Sequence, residues 1–288
     1  MEDDRWVIYD GTLIRASQPA VPVESRGLMY GEGCFETLRA YQGAFFKAGD
    51  HLERLRQAAE FLDFSFPDIL KYNSFRQLSR KLLEKNNLSE VDAVIRLQLW
   101  SSGDRGYGLK SNPDLHYSMI ASRLPNYPTD TTLATVETRR IPSKSLPSHF
   151  KLTNNINYIT AARQAAKQGA NDALMLTVDE KVSETTIANL FWLKGNTVYT
   201  PSKACDLLPG ITRNSLIDLL LGFSSYEFKE GEYDLEQIYS ADSVWICNSL
   251  RHIIGVSRID DHSFDSDHDF LKQLKETFEN HVQSKLEI

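Results

Sequence analysis

The chain has 288 residues, 41% hydrophobic and 25% charged, with a formal net charge of −7. That length supports a sizeable core and two domains, and the negative balance argues against a general binder of nucleic acid or anionic membrane, which needs a positive surface. Cys34, Cys205 and Cys247 are few, far apart and odd in number, so neither a disulfide framework nor a metal site is expected.

The opening "MEDDRWVIYDG" is acidic where a signal peptide would be basic and then apolar, and no apolar run approaches the roughly 20 residues that span a bilayer. A cytoplasmic protein with no membrane partner is expected. "WVIYDGTLIRA" reads as a hairpin across a D-G turn, and "CFETLRAYQGAFF" as two strands around Gln42–Gly43. In "GDHLERLRQAAEFLDF" Asp50 can cap a helix whose apolar face holds Leu52, Leu55, Ala58, Ala59 and Leu62. Residues 74–86 repeat the pattern with Phe75, Leu78, Leu82 and Leu83. "DAVIRLQLW" and "HYSMIASRL" read as strands around "SSGDRGYGLKSNPD", a long polar, Gly-rich loop of the kind that carries function.

The Pro-punctuated "RLPNYPTDTT" marks a domain boundary, giving a smaller N-terminal domain over 1–122, a linker over 123–129 and a larger domain over 130–288. Beyond it "LATVETRRI" reads as a strand, "NINYITAARQAAKQG" as a helix, and "DALMLTVDEKVSE" with "NLFWLKGNTVYT" as paired strands. "GITRNSLIDLLLG" reads as a helix, "SVWICNS" as a strand and "DHDFLKQLKETFENHVQSKL" as a closing helix. The class is α+β or mixed α/β with two unlike halves, and the absence of a strict βαβ rhythm argues against a doubly wound dinucleotide fold.

Four segments carry more chemistry than structure needs. Lys151 follows His149 and Phe150 in an extended lead-in, ahead of three asparagines and a helix with a small-residue face. Glu184 sits among hydroxyls beside the apolar "ANLFW"; a buried acid there needs a cationic or donating partner. Pro209–Gly210 turns the chain into a helix beginning at Ile211–Thr212, a start that can cradle a phosphate or be a plain cap. Asn248 and Ser249 end a strand with polar groups that could meet the same anion or form a simple turn.

In order along the chain, "GLMYGEGCFETLRAY", "HLERL", "RGY", a lysine with Asn154 three residues on, "SETTIANLFW" and "LLPGITR" resemble the class IV, fold-type IV enzymes that use pyridoxal 5′-phosphate (PLP). These are the branched-chain aminotransferases, D-amino-acid aminotransferases and 4-amino-4-deoxychorismate lyases. The resemblance covers nearly the whole chain. It implies a two-domain D-amino-acid-aminotransferase-like fold with PLP in the cleft between domains, and a homodimer whose sites are completed by the partner's loop.

The resemblance also gives residues their roles. Lys151 would hold PLP covalently and then act as the proton-transfer base, with Asn154 as a local brace. Glu184 would face the pyridine nitrogen and keep it protonated. Arg54, the backbone at Ile211 and Thr212, Ser249 and Asn248 would hold the phosphate, and Leu208 would pack on the cofactor ring. Tyr158 falls at a spacing unlike that of the tyrosine following the lysine in branched-chain enzymes, so that role is not carried over.

Substrate contacts are expected from Arg105, Tyr107 and Phe35. The R-G-Y loop and the "GCF" step look like the lyases, whereas Glu36 stands where some lyases have threonine. The implied reaction is conversion of 4-amino-4-deoxychorismate to 4-aminobenzoate and pyruvate, in folate biosynthesis. The alternatives are a class IV aminotransferase acting on branched-chain or D-amino acids with 2-oxoglutarate, and a non-catalytic relative that only binds PLP.

Overall fold

A computed structural model describes residues 5–103, 105–108 and 114–287. The chain divides into two compact units, one of Met1–Pro125, Phe150–Asn154 and Lys285–Ile288, the other of Asn126–His149 and Asn155–Ser284. The segment with Lys151 and the C-terminal residues thus belong to the first unit, although both lie inside the span 130–288 expected to be one domain.

The first unit opens with the hairpin β1 (Trp6–Tyr9) and β2 (Thr12–Arg15), followed by the short helix α1 (Arg26–Tyr30). Asp10 and Gly11 both have positive φ, 47° and 82°, the mirror-image turn that a D-G pair favours. Next come β3 (Gly33–Tyr41), β4 (Ala44–Phe46), α2 (Ala48–Phe61), α3 (Tyr72–Lys85), β5 (Ala93–Ser102) and β6 (Asp114–Arg123). The strands run in the order β4-β3-β5-β6-β1-β2, every pairing antiparallel.

Alternation along β3 and β5 sorts the side chains. Cys34, Glu36, Leu38 and Ala40 oppose Leu99, Leu97, Ile95 and Ala93, all buried, on the face that α2 covers with Leu52, Leu55, Ala58 and Ala59. Phe35 and Thr37 share the other face with Gln98 and Arg96. Two expectations need correcting. Helix α2 starts two residues earlier than its proposed cap, behind Lys47 at φ 52°, so Asp50 lies within the first turn. In α3 the buried positions are Phe75, Ser79, Leu82 and Leu83, with Leu78 only half-buried.

The second unit contains β7 (Asp130–Thr135), α4 (Ile156–Lys167), β8 (Asp172–Leu176), β9 (Val182–Thr185), β10 (Asn189–Lys194) and β11 (Thr197–Pro201). It continues with α5 (Ile211–Leu220), β12 (Glu227–Gly231), α6 (Leu235–Tyr239), β13 (Ser243–Asn248), β14 (His252–Ile259), β15 (His262–Ser263) and α7 (Asp269–Ser284). Its main strand path is β12-β11-β10-β13-β14-β7-β8-β9, with parallel steps at β11/β12, β14/β7 and β7/β8. Strand β7 ends six residues sooner than the expected "LATVETRRI", where the Asp260 carboxylate takes the Thr135 N–H at 2.7 Å; beyond it the Val136 and Arg140 N–H groups still reach the Leu174 and Leu176 carbonyls at 3.4 and 2.8 Å. Strands β10 and β13 are buried on both faces. Ala161 and Ala165 form the small-residue stripe that seats α4 against Ala134, Ala173 and Met175. The terminal pair β16 (Leu286–Glu287) returns to the first unit beside β4.

Candidate active site

Lys151 lies on an edge of β3. The Phe35 N–H donates to the Lys151 carbonyl at 3.0 Å and the Thr153 N–H to the Gly33 carbonyl at 2.9 Å, with Cys34 and Leu152 facing each other across the bridge. The Thr153 hydroxyl adds a bond to the Gly31 carbonyl at 2.7 Å, so Thr153, not Asn154, makes the bracing hydrogen bonds. Gly33 is required by space: a Cβ there would fall 2.5 Å from the Leu99 carbonyl oxygen and 3.0 Å from the Thr153 Oγ1.

This pairing puts Lys151 on the same side of the strand as Phe35. Its Nζ lies 4.7 Å from the Phe35 ring centroid, and the Arg96 guanidinium carbon lies 3.9 Å from the same centroid. Arg96 donates through Nε and Nη2 to the Gln98 side-chain oxygen. Burial pushes its pKa down, and among the described residues it pairs with no carboxylate. Sequence reasoning missed Arg96.

On the opposite side of β3, Glu36 is the one acid on an apolar face. Arg54 grips it with Nε and Nη2 at 2.6 and 2.9 Å, and His51 Nδ1 lies 2.8 Å from its Oε2. Burial alone would raise the carboxyl pKa, but the Arg54 and His51 contacts outweigh it and hold the group well below the ordinary range. Burial, ahead of every other influence, pushes the His51 pKa down. Arg54, expected at a phosphate, is therefore anchored by the residue whose role the sequence left open.

Glu184 occupies β9 in the second unit, 3% exposed. Its Oε1 accepts from the Tyr158 hydroxyl at 2.8 Å and meets Arg140 Nε at 3.2 Å. Its Oε2 accepts from Asn189 Nδ2 at 3.2 Å and the Leu208 N–H at 3.1 Å. Burial, then the Glu184 charge, raises the Tyr158 pKa well above its ordinary value, which keeps the phenol a donor. Arg140 is itself fixed by the Asp206 carbonyl and the Asn157 side chain and lies over the Tyr158 ring, 4.3 Å from its centroid.

Asn189 links this acid to the start of α5. Its Nδ2 also donates to the Leu208 carbonyl at 2.9 Å, and its Oδ1 accepts the Gly210 N–H at 3.1 Å. A Cβ on Gly210 would lie 2.3 Å from that Oδ1. No side chain caps α5, whose first residues Ile211 and Thr212 are buried. Arg213 is structural: it donates to the Pro201 carbonyl and pairs with Glu230.

The Asn248 side chain closes the β13–β14 turn. Its Oδ1 takes the Leu250 and Arg251 N–H groups, and its Nδ2 donates to the Ile187 carbonyl. Ser249 is half-buried in that turn. In the first unit, Arg105 is exposed and 3.8 Å from Glu24; Tyr107 is 92% exposed with its ring 5.5 Å from that of Tyr30. No group of residues that could hold a metal ion occurs among the described residues.

The chain matches the family described as Amino-transferase class IV over residues 33–259. It is 32% identical to the aminodeoxychorismate lyase of Bacillus subtilis over 90% of this chain and 88% of that protein. It is 31% identical to a probable branched-chain-amino-acid aminotransferase of Rickettsia typhi over 89% of this chain and 88% of that one. Its fold matches the branched-chain aminotransferase of Thermobaculum terrenum, solved in its PLP form, with a TM-score of 0.89 at 20% identity, over 100% of this chain and 99% of the other. This chain belongs to the class IV aminotransferase family.

Proposed function

We propose that the protein is a PLP-dependent lyase that converts 4-amino-4-deoxychorismate to 4-aminobenzoate and pyruvate. The observation that carries the reading is the Lys151 amine and the Arg96 guanidinium on one Phe35 ring, 4.7 and 3.9 Å from its centroid. A flat apolar ring beside a base and a carboxylate-binding cation suits a cyclohexadiene carboxylate carrying an amine. The 32% identity to a lyase over 90% of the chain supports it.

The chain's residues fit PLP. Glu184 is a buried acid with donors on both oxygens, and the glycine start of α5 presents backbone N–H groups that no side chain caps. When bound, PLP supplies the electron sink that takes up the pair left by a departing proton. Lys151 would hold the cofactor, and its free amine would take the proton from the amine-bearing carbon of the substrate. The adjacent C–O bond breaks, the enolpyruvyl group leaves with its electron pair and is protonated to pyruvate, and the ring becomes aromatic.

Glu184 holds the pyridine nitrogen proton, and Tyr158, Arg140 and Asn189 hold Glu184. The Ile211 and Thr212 amides receive the phosphate with Ser249 and with Arg54, a cation oriented by Glu36; Asn248 shapes the turn that carries Ser249. Leu208 packs on the cofactor ring while its backbone serves Glu184 and Asn189. Arg96 and Arg105 address the two substrate carboxylates, with Tyr107 beside Arg105. General acid–base help of this kind contributes roughly 10²–10⁴-fold. The reading carries with it a homodimer and a cytoplasmic setting; no helix among the described residues is long and apolar enough to cross a membrane.

The test offers the purified protein 4-amino-4-deoxychorismate and, separately, valine or D-alanine with 2-oxoglutarate. Release of 4-aminobenzoate and pyruvate from the first alone supports the lyase. Steady keto-acid release from the second overturns it in favour of an aminotransferase, the reading that the Rickettsia typhi relative supports. No turnover of either substrate despite visible cofactor absorbance would instead support a non-catalytic relative that only binds PLP.

A further inference from the structure

We propose that Arg26, Glu32 and Tyr30 are positioning residues that fix the peptide between Arg105 and Tyr107 and so set the substrate-side specificity of the loop joining β5 to β6. The proposal rests on the reading of Arg105 and Tyr107 as substrate contacts. It starts from Gly106, which lies between them. Its carbonyl accepts Arg26 Nη1 at 2.6 Å and its N–H donates to the Tyr30 hydroxyl at 3.0 Å. Both polar groups of one exposed residue are therefore pinned from the same five-residue helix. Gly106 has φ +102°, and nothing lies within 4 Å of a Cβ built there. Glycine is needed for the backbone conformation, not for room.

The pin is built like a core feature. Arg26 is 3% exposed, and its Nε and Nη2 bind Glu32 Oε2 and Oε1 at 2.6 and 3.0 Å. A buried arginine held in this fork presents its remaining Nη in one direction. The Ser101 hydroxyl donates to Glu32 as well. Helix α1 is pressed against β5 at Gly27, where a Cβ would fall 2.6 Å from the Trp100 Cβ.

The loop stems are clasped separately: Ser102 Oγ lies 2.9 Å from His116 Nε2, and His116 Nδ1 lies 2.7 Å from Asp10 Oδ2. The brace thus acts at Gly106 and not at the loop's base. Spending a buried, charge-assisted donor on one peptide of an exposed loop is explained by what flanks that peptide. Arg105 and Tyr107 point outward, 73% and 92% exposed, and their placement depends on the backbone between them.

The experiment is limited trypsin digestion of the PLP-loaded enzyme, following cleavage after Arg105 by mass spectrometry, beside steady-state kinetics on the substrate it turns over. The variants are Tyr30→Phe, which removes one acceptor, and Arg26→Lys, which removes the fork. Loss of a pin should speed cleavage about tenfold, since the site must open locally to be cut. KM should rise more than kcat falls, a split that general loosening would not produce. Cleavage at the wild-type rate in Tyr30→Phe overturns the brace, and that variant alone decides if Arg26→Lys fails to fold. Faster cleavage with KM unchanged leaves the brace standing and overturns the assignment of Arg105 and Tyr107 to substrate.

Discussion

The Glu36 carboxylate and the Arg54 guanidinium meet as a two-pronged pair at 2.6 and 2.9 Å, the acid fully buried and the arginine 13% exposed. Removing one partner from a buried pair leaves the other charge uncompensated, at a cost of about 3–5 kcal/mol. Glu36→Gln should therefore lower the stability of the cofactor-free protein by an amount in that range, read by denaturant unfolding.

The same pair gives an acid dependence. The Glu36 pKa is depressed in the folded protein, so its stabilisation is complete above the ordinary value of 4.5 and is lost as pH falls toward the lower folded value. His51, also depressed, acts in the same direction because protonating it penalises the folded state. Unfolding curves from pH 7 down to about pH 3 should converge for wild type and Glu36→Gln. A constant gap across that range would contradict the assignment.

Lys151→Ala should abolish turnover, a loss of at least roughly 10²–10⁴-fold from the base alone, while the melting temperature of the cofactor-free protein stays near wild type. The hydrogen bonds that seat this segment come from the backbone of Lys151 and from Thr153, and alanine keeps them. Turnover within tenfold of wild type would remove the lysine from the chemistry.

Arg105→Ala and Arg96→Gln should each raise KM with little change in kcat, by the factor belonging to a charge-assisted contact of about 1.5–3 kcal/mol. The two residues differ in setting, Arg96 beside Phe35 and Arg105 exposed. Only the Arg105 effect should shrink markedly with added salt, since exposed charges are screened and half-buried ones much less so. Kinetics matching wild type in both variants would refute the carboxylate assignments.

Gly210→Ala should weaken PLP retention and destabilise the protein by about 1–3 kcal/mol, as overpacking does. The new methyl would sit 2.3 Å from the Asn189 Oδ1 and push apart the contacts that join Glu184 to the start of α5. Cofactor release during dialysis and a thermal melt read the two effects; unchanged values for both would show that the junction has room to give.

Local patterns made much of the fold legible. The D-G and Q-G turns, the β3–β5–β6 strands and the helices α2, α4, α5 and α7 follow from spacing and turn chemistry. Strand β12 and helix α6 leave no sequence signal, because they are short and their polar sequences lack clear periodicity; β14 is masked by the polar turn that precedes it. Glu36 could have been flagged, since alternation puts it in register with Cys34, Leu38 and Ala40, where an acid demands a partner. His51 and Arg54, three apart on one helix, were the available partners. Tyr158 likewise shares a helical stripe with Ala161 and Ala165, which turns it inward. Arg96 and Arg140 had no such signal, because their meaning comes from Phe35 and Glu184, which lie 61 and 44 positions away in the sequence.

The assignment of Phe150–Asn154 to the first unit bears on how the gene can be dissected. A fragment beginning at Asn126 would encode Lys151 yet lack Gly33 and Phe35, the strand atoms on which that amine's backbone hangs. The reciprocal fragment ending at Pro125 would carry the bed without its occupant. Neither fragment on its own keeps Lys151 on the strand that seats it, so the two halves expressed separately should not reproduce the seating found in the intact chain.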